Sequence, residues 1–219
     1  AIYRLGNGDI ENGVVAASRQ IDTESFAEKC RIVWKQPIGA GWSGFSVRNG
    51  FAVTMEQRGD QECVTCYEIA TGTLKWIYSH SARHRDKMGL GRTGPRSTPT
   101  IHEGNVYAVG AVGNLVCLSG ATGAVIWQQD LNQLLGITLG EVDDGDGFTA
   151  RYEENTTLAW GRSGAPLIVD NCVVVPGGGP AGTTRATLLA FDAQTGELKW
   201  RGGDAMIAYG SPVLATVSG

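Results

Sequence analysis

The most regular pattern of apolar and polar positions lies at residues 188–201, Leu-Leu-Ala-Phe-Asp-Ala-Gln-Thr-Gly-Glu-Leu-Lys-Trp-Arg. Residues 188–192 favour a strand, the middle is turn chemistry, and residues 197–201 alternate apolar with charged, so the segment predicts a β-hairpin. Gly196 can take the positive φ that closes such a turn, and the Asp192 carboxylate can accept backbone N–H groups two or three residues on. A period of two puts Leu198 and Trp200 on one face, opposite Glu197, Lys199 and Arg201. Looser copies at 66–76 and 117–127 keep the alternation: Leu74 and Trp76 oppose Thr73 and Lys75, and Val125 and Trp127 oppose Ala124 and Ile126.

Strands of this kind end at Trp34, Trp76, Trp127 and Trp200, at spacings of 42, 51 and 73 residues. Every interval repeats one order of parts. After each Trp come a variable loop, a Ser/Pro-bearing strand (43–47, 97–101, 163–169), a turn (Asn49-Gly50, Gly104-Asn105, Asp170-Asn171), a second strand (51–55, 106–109, 172–175), another loop, and the hairpin. Four strands per ~40-residue repeat describes a β-propeller blade. The fold expected is all-β: a partial propeller of four-stranded antiparallel blades over 31–219, with blades at 42–78, 96–129 and 162–202 and the start of another at 209–219. A leading Trp strand at 31–35 precedes them. Residues 1–30 read as an entry segment with a weak strand at 14–21. Three blades plus partial ones read as an N-terminal fragment, with the remaining blades beyond residue 219.

Composition narrows the function classes. The chain has 219 residues, 42% hydrophobic and 18% charged, with a formal net charge of −4. That mildly acidic balance gives no electrostatic footprint for nucleic acid. No stretch approaches the ~20 continuous apolar residues of a membrane span. Glycine, at 32 residues, fits many tight turns and short strands.

In four-stranded blades the strand two–three connections and the crossovers to the next blade emerge on one face. The long loops 56–62, 77–96, 128–162 and 176–187 therefore converge, and a ligand site is expected where they meet the central channel. Trp42, Arg58, Arg96, Trp160 and Arg162 stand at their mouths, combining aromatic faces with guanidinium groups suited to a planar or anionic ligand.

Other motifs read as structural. Cys63-Val-Thr-Cys66 has redox or zinc spacing, but strand residues three apart face opposite ways and no second pair completes a metal site; the five cysteines read as free thiols. Gly89-Leu-Gly91-Arg-Thr-Gly94 matches the dinucleotide fingerprint in letters but precedes Pro95 and a strand rather than a helix. His80 and His84 sit in a loop whose Arg83, Arg85 and Lys87 would repel a cation. Asp144, Asp146 and Glu153 fall on the third, fifth and twelfth positions of a calcium loop whose first ligand position is Val142, so calcium is a secondary reading beside a solvated acidic loop.

The unit Ala190-x-Asp192-x-x-Thr195-Gly196-x-x-x-Trp200 resembles the tryptophan-docking motif of PQQ-binding-like, or quinoprotein dehydrogenase-like, β-propellers. The copies keep Thr71-Gly72 with Trp76 and Thr122-Gly123 with Trp127, while Cys66 and Cys117 replace the Ala and Glu68 and Ser119 replace the Asp. From residue 31 onward the chain is similar to bacterial PQQ-repeat proteins of the sort common in planctomycetes. The resemblance implies that Trp76, Trp127 and Trp200 are struts packing between blades against the Thr-Gly turns. It implies a binding or scaffold module of the periplasm or cell envelope, with a protein or small-molecule partner on the loop face. The alternative it implies is a quinoprotein alcohol or sugar dehydrogenase using PQQ and Ca²⁺. Such enzymes add an adjacent cysteine pair, which this chain lacks.

Overall fold

The computed structural model describes residues 31–86, 91–143, 145–154, 158–182 and 184–217. The expected entry segment 1–30 and its weak strand lie outside them. Among the described residues the structure is all-β apart from one short helix, and three four-stranded sheets dominate it. Blade 1 is β1 (Ser46–Arg48), β2 (Phe51–Arg58), β3 (Gln61–Glu68) and β4 (Leu74–Ser81). Blade 2 is β5 (Thr100–His102), β6 (Asn105–Val109), β7 (Asn114–Ser119) and β8 (Val125–Asp130). The linker to blade 3 carries helix α1 (Leu131–Leu135) and a hairpin of β9 (Leu139–Asp143) and β10 (Thr149–Glu153). Blade 3 is β11 (Leu167–Val169), β12 (Cys172–Gly178), β13 (Ala186–Asp192) and β14 (Leu198–Gly202). Strands neighbour in sequence order and pair antiparallel within each blade.

The first turns are tight and left-handed, at Asn49-Gly50, Glu103-Gly104 and Asp170-Asn171, all with positive φ. The second of these is one residue earlier than expected, because β6 already begins at Asn105. The first strands are shorter than expected and start three or four residues later. Their leading residues bond to the next blade instead of a ladder. Gly44 N–H donates to the Thr98 hydroxyl and Ser46 to the Pro99 carbonyl; Ser97 donates to Gly164 and Thr100 to Pro166; Ser163 donates to Tyr209 and Ala165 N–H to Ser211. Residues 31–35 form no strand, since no neighbour pairs with them, yet Trp34 reaches blade 1.

The three Trp hairpins share one backbone plan. The first loop residue donates its N–H five residues on and accepts from the glycine N–H, as in Asp192 N to Glu197 O and Gly196 N to Asp192 O. Glu68 with Thr73 and Gly72, and Ser119 with Ala124 and Gly123, do the same. The Thr hydroxyl accepts the N–H two residues on, from Thr73, Ala124 and Glu197. A β-bulge follows at one place in each copy, so that Trp76 pairs with Cys66 but Leu74 with Tyr67, Trp127 with Cys117 but Val125 with Leu118, and Trp200 with Ala190 but Leu198 with Phe191. Because paired residues share a face, the bulge puts Leu198 and Trp200 on opposite faces, contrary to the uninterrupted period of two. Leu198 packs into the core between blades 2 and 3, while Trp200 points forward.

Two apolar seams hold the arc. Val53, Met55, Val64, Cys66 and Trp76 of blade 1 meet Val106, Ala108, Val116 and Leu118 of blade 2. Tyr107, Val109, Leu115, Cys117 and Trp127 of blade 2 meet Val173, Val175, Leu189 and Phe191 of blade 3, with Leu131 and Leu135 of α1. Asp130 caps α1 by accepting the N–H groups of Asn132 and Gln133, and Gly136 ends it at φ 63°.

Candidate functional site

The docking geometry of the Trp residues repeats. The indole N–H of Trp34 donates to Ile69 O (2.6 Å), that of Trp76 to Gly120 O (2.9 Å) and that of Trp127 to Ala193 O (2.9 Å). Each acceptor lies three residues before the glycine on which the ring rests. Gly72, Gly123 and Gly196 take φ of 74°, 73° and 73°, and a Cβ on them would stand 2.7, 2.7 and 2.6 Å from those rings. Trp76 and Trp127 are 9% and 8% exposed, whereas Trp200 is 43% exposed. Asp192 accepts the N–H groups of Gln194 and Thr195 and pairs with Lys199 at 3.3 Å, which holds its carboxyl below the usual range. Thr71 instead donates to Glu68 (2.6 Å).

On the opposite face the long loops gather. One stretch expected to be loop, 56–62, is not: β2 and β3 run on to Arg58 and Gln61, leaving a two-residue turn at Gly59-Asp60. Arg83 reaches from beyond β4 to Gly59 O and to Asp146 at the β9–β10 tip, with its guanidinium 4.8 Å from the Phe148 ring centre. Between these parts lies a polar cavity of about 350 Å³ lined by Asp60, Ser81, Arg83, Glu141, Phe148 and Arg151.

The sequence-chosen residues separate into groups. Trp42 is 67% exposed, and its indole donates to Gly91 O (2.7 Å). Arg96 packs on the same Gly91 and donates to Gly94 O and Arg92 O; burial lowers its guanidinium and the nearby Asp86 opposes that. Trp160 lies against Tyr209 with ring centres 5.3 Å apart and the planes tilted by 56°, and Tyr209 is close enough to act on Arg96. Trp42 and Arg96 thus meet at Gly91, and the Trp160–Tyr209 ring pair lies near Arg96. Arg58 lies elsewhere, donating to Glu56 (3.1 Å) and Tyr67 (3.2 Å). Arg162 is 2% exposed and its Nε donates to Glu153 at 2.9 Å, with Nη1 on Pro176 O and Gly177 O, so it braces blade 3 from inside.

That pairing bears on the calcium reading. Glu153 is 3% exposed on a paired strand against Arg162, Asp146 meets Arg83, and Asp144 lies outside the described residues. The loop 142–153 is the β9–β10 hairpin, a geometry unlike a calcium loop because its acidic residues diverge along two strands. Among the described residues no group of three His, Cys, Asp or Glu side chains is placed to hold a metal ion. Cys63, Cys66, Cys117 and Cys172 are free, and burial pushes the Cys63 thiol up to about 11.

Sequence reasoning missed three features. Glu56 is fully buried, and burial would push its carboxyl up; the N–H of Gly39, the Tyr67 hydroxyl (2.8 Å) and Arg58 override that and lower it. Asp86 accepts Gly91 N–H (2.5 Å), shaping the stretch that carries Trp42 and Arg96. Glu62 lies beside His80 in the seam between blades 1 and 2. A carboxylate at an inward strand position is the only sequence signal for Glu56 and Glu62.

An arc of four-stranded antiparallel meanders, each strutted to the next by Trp, is a β-propeller architecture. The chain belongs to the PQQ_2 family, outer membrane protein assembly factor BamB, which matches residues 60–218. It is also similar to two quinohemoprotein alcohol dehydrogenases of Pseudomonas putida. With ADH IIB it is 27% identical over 161 residues, 58% of this chain and 23% of that protein; with ADH-IIG it is 28% identical over 158 residues, 58% and 21%. The chain therefore spans less than a quarter of these relatives. Among solved structures, quinohemoprotein alcohol dehydrogenase from Comamonas testosteroni aligns with 75% of this chain and 21% of its own at 20% identity and a TM-score of 0.49. BamB from Moraxella catarrhalis aligns with 75% and 62% at 18% identity and a TM-score of 0.23. No helix among the described residues is long and apolar enough to cross a membrane.

Proposed function

We propose that this chain is a binding and scaffold module of the cell envelope, presenting its loop face to a protein engaged in outer-membrane assembly. The family match carries the reading, since its description names that process and it covers most of the chain. The geometry supports it: exposed Trp42 beside Arg96, with Trp160 on Tyr209, offers aromatic area and guanidinium charge, the residue types that anchor protein interfaces. The test is photo-crosslinking in intact envelopes from a reactive residue at position 42, with position 71 on the opposite face as control. Adducts of outer-membrane assembly proteins from position 42 alone are expected; equal yields from both positions would sink the reading.

The identity to quinohemoprotein alcohol dehydrogenases favours a second reading, an oxidoreductase using PQQ and Ca²⁺. The donor set described here does not fit it: Glu153 and Asp146 are engaged with arginines, and no three-ligand cluster is present among the described residues. Adding PQQ with Ca²⁺ and following quinone absorbance and dye-coupled alcohol oxidation separates the two. A turnover signal would replace the scaffold reading.

A further inference from the structure

One cluster of buried polar groups plays no part in the loop-face site. Gln57, Glu62 and His80 are cross-strand neighbours on β2, β3 and β4, the row beyond Met55, Val64 and Tyr78, and they face blade 2. Glu62 is 1% exposed. Its Oε2 accepts the N–H of Ala111 (3.0 Å), and its Oε1 lies 3.4 Å from His80 Nε2. Gly110 sits so close to Oε1 that a Cβ there would overlap it. Gln57 spends its amide N–H groups on Gly59 O and Ala82 O, leaving its own oxygen without a donor. His80 stacks on Tyr78, whose hydroxyl accepts from Asn114.

Among the described residues, the groups around Glu62 supply no cation to balance a bare carboxylate. His80 and Tyr78 face it from β4, and Gln57 from β2, with Glu56 and Arg58 turned to the other side of the sheet. Cys63 adjoins it on its own strand, and blade 2 presents the uncharged Gly110–Ala111 backbone. A lone carboxylate there, or a desolvated carboxylate–imidazolium pair, is costlier than a neutral acid donating to a neutral imidazole. Burial acts in that direction on both partners, pushing Glu62 up to about 7 and His80 down to about 4.

We propose that Glu62 and His80 share one proton, carried on Glu62 Oε1 and donated to His80 Nε2, and that the pair is a pH-sensitive latch closing the seam between blades 1 and 2. When the proton passes to solvent, a carboxylate is left buried, and it is relieved by opening the 110–113 turn to water. Because Glu62 binds its proton more tightly folded than unfolded, the stability it confers is complete below its unfolded value of 4.5 and is lost as pH rises through about 7.

The test uses the whole chain. Amide exchange at Ala111, corrected for intrinsic exchange, is compared at about pH 6 and about pH 8.5; protection is expected to fall about tenfold or more while Val116 changes little. Glu62→Gln keeps an acceptor for Ala111 and a donor for His80, so it is expected to abolish the difference. A Glu62→Gln protein with the wild-type response, or unchanged Ala111 protection in wild type, overturns the proposal. Should that variant not fold, ring ¹⁵N shifts of wild-type His80 decide: the neutral Nδ1–H tautomer at about pH 6 is expected, and an imidazolium or an Nε2–H tautomer overturns the latch.

Discussion

At the scale of single residues, the docking glycines carry the strongest constraint. Gly123 has φ 73° and no room for a Cβ against the Trp76 ring, so Gly123→Ala combines backbone strain with overlap and is expected to cost about 3 kcal/mol. Gly50 has φ 83° and nothing within 4 Å, so Gly50→Ala should cost only about 1 kcal/mol. Denaturant titration of the two variants measures the difference, which is the contribution of the strut contact. The indoles make a second comparison. Trp127→Phe removes the N–H donated to Ala193 and is expected to lose about 1–2 kcal/mol, while Trp200→Phe, at a ring 43% exposed, should stay within about 0.5 kcal/mol. The Thr-Gly-x-x-x-Trp spacing made these residues legible in the sequence. Their orientation was not, because a bulge adds one residue without changing composition, and it moved Leu74, Val125 and Leu198 away from the faces of Trp76, Trp127 and Trp200.

At the scale of elements, alternation located the second and third strands of each blade well, because they are buried and ladder-paired throughout. It overextended the first strands, whose leading Ser and Thr bond across to the next blade, and that partnership is set by tertiary position rather than by period. The β9–β10 hairpin was hidden for another reason: its polar residues, Glu141, Asp143 and Arg151, read as solvated loop. It is anchored by Glu153 and Arg162, both almost fully buried and 2.9 Å apart. Breaking one side leaves an uncompensated buried charge, so Glu153→Leu or Arg162→Met alone should each cost about 3 kcal/mol, and the double variant Glu153→Leu with Arg162→Met less than the sum. Thermal unfolding of the four proteins gives the coupling, and strict additivity would show that the pair is not one unit.

At the scale of the whole molecule, stability resides in seams between successive blades, and the loop face is held by buried polar groups that sequence pattern does not distinguish from exposed ones. The site was legible only in part: Trp42 and Arg96 meet at Gly91, with Trp160 against Tyr209 near Arg96, but Arg162 turned inward because Glu153, nine positions earlier, returns on β10 to meet it. His84 shows what such burial does to the pH dependence of the whole fold. It is 1% exposed between the Arg96 stretch and Gly161; burial, with a smaller contribution from Arg96, lowers its imidazole to about 4. Its folded value lies below the unfolded 6.5, so the folded form keeps it neutral while the unfolded chain takes up a proton. Stability is therefore complete above about 6.5 and lost as pH falls from there towards about 4. His84→Gln, which cannot charge, is expected to remove its own part of this acid limb in melting temperatures taken across that range, leaving the part due to His80. The opposing loss governed by Glu62 on the other side of blade 1, which runs from about 4.5 to about 7 as pH rises, should be untouched. A variant that shifts both limbs together would mean that the two buried groups titrate as one system.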